Sequence, residues 1–182
     1  FMDFMDNLTP MIFAALAVAV ALRSGLFNIG VSGQMLAAGF LATVTVGYTS
    51  LAAPIAKPLV VIIGILAGAC VGGLIGFLKY RFNINEVVSS IMINYILEYV
   101  ISFFINMYFV DPVSRQSKNV STAARLTLTD VEVGGYKMDI PLGIILAILT
   151  VFLVRFIMNR TVFGFEMKAV GCSRTAAKYA GI

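Results

Sequence analysis

The sequence predicts an all-α, polytopic membrane protein, and three observations carry that prediction. Of the 182 residues, 60% are hydrophobic and only 12% charged, whereas an ordinary soluble domain carries about 25% charged residues. The apolar residues gather into charge-free runs long enough to cross a bilayer, which takes about 20 helical residues with every backbone amide paired. The lysines and arginines fall mostly between those runs. A soluble fold of this length could not hide so much apolar surface from water, so lipid is its natural solvent.

Taken in chain order, the first segment is 9–22, where Thr9-Pro10 opens an apolar stretch with proline at the first helical position. The stretch 24–56 is charge-free but too long for one span at about 1.5 Å per residue. It is expected to break between Gly25 and Gly33, where glycines and amides interrupt the apolar pattern, leaving a second span over 31–50. The third, 59–78, is bounded by Lys57-Pro58 and by Lys79 and Arg81. The fourth, 87–110, is interrupted only by Glu98. The fifth, 140–158, carries Arg155 near its end, close enough to snorkel toward headgroups. These five segments with the outer loop 111–139 and the closing segment 159–182 read as one transmembrane domain. The chain opens on Phe1 and shows no signal-peptide pattern, and it reads as a piece of a longer protein.

Alternating crossings place Arg23, Lys79, Arg81, Arg155, Arg160, Lys168, Arg174 and Lys178 on one side, against Lys57, Arg115, Lys118, Arg125 and Lys137 on the other. The excess of basic residues marks the first side as cytoplasmic. Spread in this way, the net charge of +4 speaks for membrane orientation and against a nucleic-acid partner. In the outer loop, LTLTDVEVGGYKMDI alternates like a small hairpin around Gly134-Gly135. It is either a cap over the outer mouth or a plain connector.

Enzyme chemistry is not indicated. There is no Gly-x-x-x-x-Gly-Lys-Ser/Thr phosphate loop, no nucleophile elbow and no histidine, and Cys70 and Cys172 lack paired spacing. No catalytic residue, metal site or cofactor is expected in this chain. Four polar residues stand out as candidates for a solute pathway. Glu98 lies mid-span, where a carboxylate costs about 2.5 to 3.5 kcal/mol unless it faces protein or water. Asn94 precedes it by one turn on the same face. Asn28 and Gln34 flank the broken stretch, and irregular backbone at membrane depth is tolerated only where it is buried or lines a cavity. The competing readings are a protonated Glu98 that glues two helices and a simple cytoplasmic turn at the break. Gly64, Gly68, Gly72 and Gly76 recur every fourth residue and predict a close helix contact, since small residues supply packing where lipid removes the hydrophobic drive.

Three ordered motifs, GLFNIGVSGQM, NEVVSSIMINYI and FGFEMKAVGCSRTAAKYAGI, resemble those of ABC importer permeases. More closely, the chain is similar to the branched-chain amino acid and simple-sugar permease superfamily, and within it to nucleoside-type sugar permeases. That resemblance implies a multi-pass subunit of the bacterial plasma membrane. It also implies as partners a second homologous permease subunit, cytoplasmic ABC ATPase subunits and an extracytoplasmic solute-binding lipoprotein, besides membrane lipid. The closing motif would be the ATPase-coupling segment, carried here by Gly164, Glu166, Gly171, Ser173, Arg174, Ala176, Ala177, Lys178, Tyr179 and Gly181. Family members commonly have asparagine where Ser173 stands. Serine can still cap a helix starting at Arg174, and Gly181 can end it in a left-handed conformation. In this reading Ala176 and Ala177 sit in a groove of the ATPase, with Arg174 and Lys178 at its rim and Tyr179 as an anchor.

The expected function is that of the membrane subunit of an ATP-driven importer for nucleosides or simple sugars, with ATP hydrolysis on a partner chain. The same framework fits a branched-chain amino acid cargo. From other classes come an ion-coupled secondary transporter that uses Glu98 as its proton site, and an oligomeric structural protein held by the glycine row.

Overall fold

The computed structural model describes residues 2–49, 51–111, 115–117, 119–121, 124–133 and 136–182. Among the described residues the chain is helical, with one two-stranded hairpin, and it divides into two compact units, Phe1–Asn28 with Leu126–Ile182 and Ile29–Arg125. Four of the described helical stretches, Phe4–Arg23, Ala53–Phe82, Glu86–Phe109 and Leu142–Arg160, are long and apolar enough to cross a membrane. A fifth, Val31–Gly47, is apolar but shorter. On Ala53–Phe82 Ile65 and Leu66 are 64% and 59% exposed, a presentation that lipid accepts and water does not.

The first unit holds α1 (Met2–Arg23), the hairpin β1 (Thr127–Val133) and β2 (Tyr136–Pro141), α5 (Leu142–Arg160), α6 (Val162–Cys172) and α7 (Arg174–Tyr179). Helix α1 begins seven residues before Thr9 rather than at it, so Pro10 lies inside the helix. Pro10 has no N–H to offer Asp6 O, and next to it Thr9 Oγ1 donates to Met5 O at 3.0 Å. Near its start α1 meets the start of α5, where a Cβ added to Gly143 would lie 2.9 Å from Thr9 Cγ2. The two helices run in the same direction, with Thr9 beside Gly143 and Arg23 and Arg155 lining one hollow further along. The hairpin pairs antiparallel, Val133 opposite Tyr136. The Gly134-Gly135 turn expected between its strands lies outside the described residues.

The second unit packs α2 (Val31–Ala42), α3 (Ala53–Phe82) and α4 (Glu86–Phe104). Both α2 and α4 end in a wider π turn, Thr43–Gly47 and Ile105–Phe109. Helix α3 outruns the charge-free segment at both ends. Pro54 sits in its first turn, where a missing N–H costs nothing, and Lys79 and Arg81 sit in its last. Asn83 closes it with a left-handed backbone, φ 52°. Two residues later Asn85 Oδ1 accepts from Val87 N at 2.9 Å to cap α4, and Lys79 Nζ pairs with Glu86 Oε2 at 2.5 Å across the turn. The core of this unit is small, with Val46, Ala56 and Ala124 buried and Leu59, Val60, Ile63 and Val120 against them. Ser121 N donates to Gly47 O at 2.9 Å, which ties the beginning of the outer loop to the end of the second helical stretch.

Candidate functional site

The break after α1 is built from two unlike ends. In the first unit α1 stops in a Schellman motif, with Gly25 at φ +70°, its N–H donating to Leu22 O at 3.1 Å and the Leu26 N–H to Ala21 O at 3.0 Å. In the second unit α2 starts at Gly30, which has no side chain to cap the free amides. Asn94 of α4 supplies the cap from across the helix pair. Its Oδ1 accepts from Gly33 N at 3.0 Å and its Nδ2 donates to Ile29 O at 3.0 Å. Gly33 is where this approach requires glycine, since an added Cβ would stand 2.5 Å from Asn94 Oδ1.

The pathway candidates therefore separate. Asn28 lies in the first unit, while Gln34, Asn94 and Glu98 share the second. Gln34 turns to α3, its Nε2 resting 3.2 Å from where a Cβ of Gly72 would stand. Asn94 spends its amide on the start of α2. Glu98, near the middle of Glu86–Phe109, is exposed and makes no hydrogen bond or ion pair among the described residues.

Around Glu98 the structure adds residues the sequence reading did not single out. Tyr95 and Tyr99 are exposed, as are Ser102 and Asn106. Their spacing of three and four from one another puts them with Glu98 on one side of α4. Asn106 Nδ2 donates to Ser102 O at 2.8 Å, one turn back. The recurrence was present in the sequence but hidden among the large apolar residues between. Past its end the same unit has an open groove of about 330 Å³, where Tyr48 and Phe109 stack at 5.4 Å between centroids and Phe40 meets Phe109 edge-on.

In the closing segment, glycine permits two backbone-to-backbone contacts. Thr161 caps α6 by accepting from Gly164 N at 3.2 Å, and a Cβ on Gly164 would strike Ile157 O. Gly171 lies inside the last turn of α6. There a Cβ would strike Arg23 O, and Gly25 N lies 3.0 Å from its ideal position. Ser173 Oγ accepts from Ala176 N at 3.3 Å, capping α7, and Gly181 follows that helix at φ +81°. Ala177, expected to enter a partner's groove, is buried in its own chain, because it faces the packed side of α7. Arg174, Ala176, Lys178 and Tyr179 are exposed, and Glu166 is half-buried.

The glycine row of α3 behaves differently from the helix contact expected of it. Gly72 meets Gln34, but a Cβ at Gly64, Gly68 or Gly76 would meet nothing within 4 Å. At 3.6 residues per turn a spacing of four drifts about 40° per step, so the row winds off the face that packs on α2.

A model of the permease component of branched-chain amino acid transport systems matches residues 2–182. The chain belongs to that family. The permease is 39% identical over 178 residues to a guanosine ABC transporter permease of Bacillus subtilis, with 97% of this chain and 50% of the relative covered. It is 35% identical to a nucleoside ABC transporter permease of Lactococcus lactis, covering 98% of this chain and 50% of that one. Against a glucose ABC transporter permease of Haloferax volcanii it is 31% identical, covering 95% and 47%. The chain thus spans about half the length of these relatives. No solved structure matches it. It is an integral protein of the plasma membrane.

Proposed function

We propose that this permease forms, with a second permease subunit, the membrane channel of an ATP-driven importer for nucleosides or simple sugars. The observation that carries the reading is the similarity to the guanosine permease over 97% of the chain. Solute is handed over by an extracytoplasmic binding lipoprotein and passes along the side of α4 that carries Tyr95, Glu98, Tyr99, Ser102 and Asn106. An uncharged solute rich in hydroxyls and ring nitrogens suits such a lining, where hydrogen bonds replace water at little cost. Glu98 acts as an acceptor there. Asn94 and Gln34 hold the start of α2 in place, and Asn28 lies on the connecting stretch.

Closure of the partner ATPases on ATP pushes on α7, through the exposed Ala176 and Tyr179 with Arg174 and Lys178 beside them. Helix α6 relays the movement. Its backbone contact at Gly171 with the end of α1 leaves no soft side chain to absorb a displacement, and Gly164 stiffens its corner with α5. Glu166 lies on the relaying helix.

Uptake of labelled guanosine, glucose and leucine by vesicles holding the full-length permease and its partners tests the reading. Guanosine or glucose uptake should require internal ATP and survive an uncoupler, with leucine ineffective. The Glu98→Gln variant should keep most of its ATP-driven uptake, since Gln retains an acceptor oxygen. Uptake that collapses with the proton gradient and with Glu98→Gln would favour the ion-coupled reading, which the unpaired mid-span carboxylate supports. Leucine uptake alone would move the cargo to branched-chain amino acids.

A further inference from the structure

The first unit contains a groove that neither the solute pathway nor the coupling segment uses. It runs between the second half of α1 and the second half of α5, holds about 420 Å³, and is apolar along Leu16, Val20 and Val154 but basic at one end, where Arg23, Arg155 and Asn159 line it. Both arginines are exposed, and neither has a carboxylate partner among the described residues. The positive charge is reinforced from both sides. Arg160 joins Arg155 and Asn159 in an adjoining hollow, and Lys168 Nζ donates to Asn159 Oδ1 at 2.7 Å. Glu166 of α6 pairs with none of them among the described residues.

Arg155 lies five residues before the end of α5, roughly 7.5 Å inside it at 1.5 Å per residue. A guanidinium at that depth reaches for headgroups and needs an anion. A phosphate diester joined to two hydrocarbon chains matches an apolar trough that ends in unpaired arginines, both in polarity along its length and in sign of charge. We propose that this groove binds one anionic glycerophospholipid, its phosphate between Arg23 and Arg155 and an acyl chain along Leu16, Val20 and Val154.

The test uses the full-length permease with its partners, purified in mild detergent, with co-purifying phospholipid counted by headgroup class. Wild-type protein should retain anionic phospholipid above the zwitterionic background, and the double variant Arg23→Gln, Arg155→Gln should lose it several-fold. Arg23→Lys with Arg155→Lys should keep most of it. Ala19→Phe fills the trough without touching charge and should also displace the lipid, which keeps the test alive if the Gln variant does not fold. Dioleoylphosphatidylglycerol should raise the melting temperature of delipidated wild type more than dioleoylphosphatidylcholine or inorganic phosphate does. Two results would overturn the proposal. One is equal anionic lipid in a folded Gln variant or in Ala19→Phe. The other is wild-type protein with no retained anionic lipid, as when another helix of the assembly covers the groove. Neither readout depends on which solute is transported.

Discussion

The two ends of the break between α1 and α2 are secured by opposite means. On the α1 side the contact is made by what the residues lack, since Gly25 and Gly171 let α6 lie against the backbone of Arg23. On the α2 side it is made by a side chain, the Asn94 amide reaching Gly33 N and Ile29 O. A contact of the first kind transmits displacement because nothing in it can rotate away. A contact of the second kind holds a position by two directional bonds that can be exchanged for others. In a transporter, the first suits a relay and the second suits a latch.

The largest effect is expected where the relay is obstructed. Gly171→Val would drive a Cβ into the Arg23 carbonyl and add two methyl groups beside it. Overpacking of this sort costs about 1 to 3 kcal/mol, and the strain falls on the proposed relay itself. Solute uptake should fall at least tenfold while the ATPase partners, still docked on α7, continue to hydrolyse ATP. Uptake and hydrolysis that drop together would make Gly171 a folding residue and nothing more.

Breaking the latch should cost less and show elsewhere. Asn94→Leu leaves the Gly33 N–H and the Ile29 carbonyl without partners, a loss of about 1 to 3 kcal/mol. Asn94→Asp keeps an acceptor for Gly33 N–H and loses only the donor to Ile29, so it should fall between Leu and wild type. Thermal melting of the full-length protein orders the three. Hydrogen exchange should place the change at Gly33, with the end of α1 unaffected. An equal loss at both ends would erase the distinction between them.

What the sequence made legible follows the same division. Apolar runs and flanking charges located the helices, and alternation located the hairpin, because those signals are local. Helix ends were less legible. Pro10 and Pro58 both read as boundaries from sequence, yet both lie inside their helices, which begin at Met2 and Ala53. The capping role of Ser173 was readable from a short window. Asn94 stood out as polar within a span, but its partners lie 61 and 65 residues away, beyond any pattern in one helix. Gly164 and Gly171 gave no sign in sequence of the backbones they admit, because a glycine that admits a neighbour and one that ends a helix are the same letter.

A smaller change is expected in α7. Ser173→Ala removes the 3.3 Å bond to Ala176 N, and a lost cap costs about 0.5 to 2 kcal/mol. The bond is exposed and the helix short, so global melting should move little, while hydrogen exchange at Ala176 and Ala177 should quicken. If the coupling reading is right, uptake per ATP should fall by a small factor, far less than for Gly171→Val. An equal fall would mean that the order of α7, rather than its connection to α1, limits coupling.

The smallest intramolecular effect belongs to the glycine row, and it sharpens the comparison by supplying a third kind of contact. Gly64, Gly68 and Gly76 admit no neighbour among the described residues, so Gly68→Ala should leave the melting temperature of the isolated permease within the scatter of ordinary surface substitutions, about 0.5 kcal/mol. Gly-to-Ala also favours helix by up to about 1 kcal/mol, which makes slight stabilisation the more natural sign. Gly72→Ala should be marginally worse than Gly68→Ala, because Gln34 Nε2 must move a few tenths of an ångström. Gly68→Leu separates two explanations of the row. If those glycines face only lipid, Leu is tolerated in the monomer and in the assembled transporter alike. If they seat a helix of the second permease subunit, Leu leaves the monomer's melting unchanged but weakens subunit association, because small faces bring helices close in lipid. Comparing assembly at fixed protein-to-detergent ratio for the Ala and Leu variants reads the difference directly. Only a graded loss with side-chain size would assign Gly64, Gly68 and Gly76 a contact that Gly171 makes within its own chain.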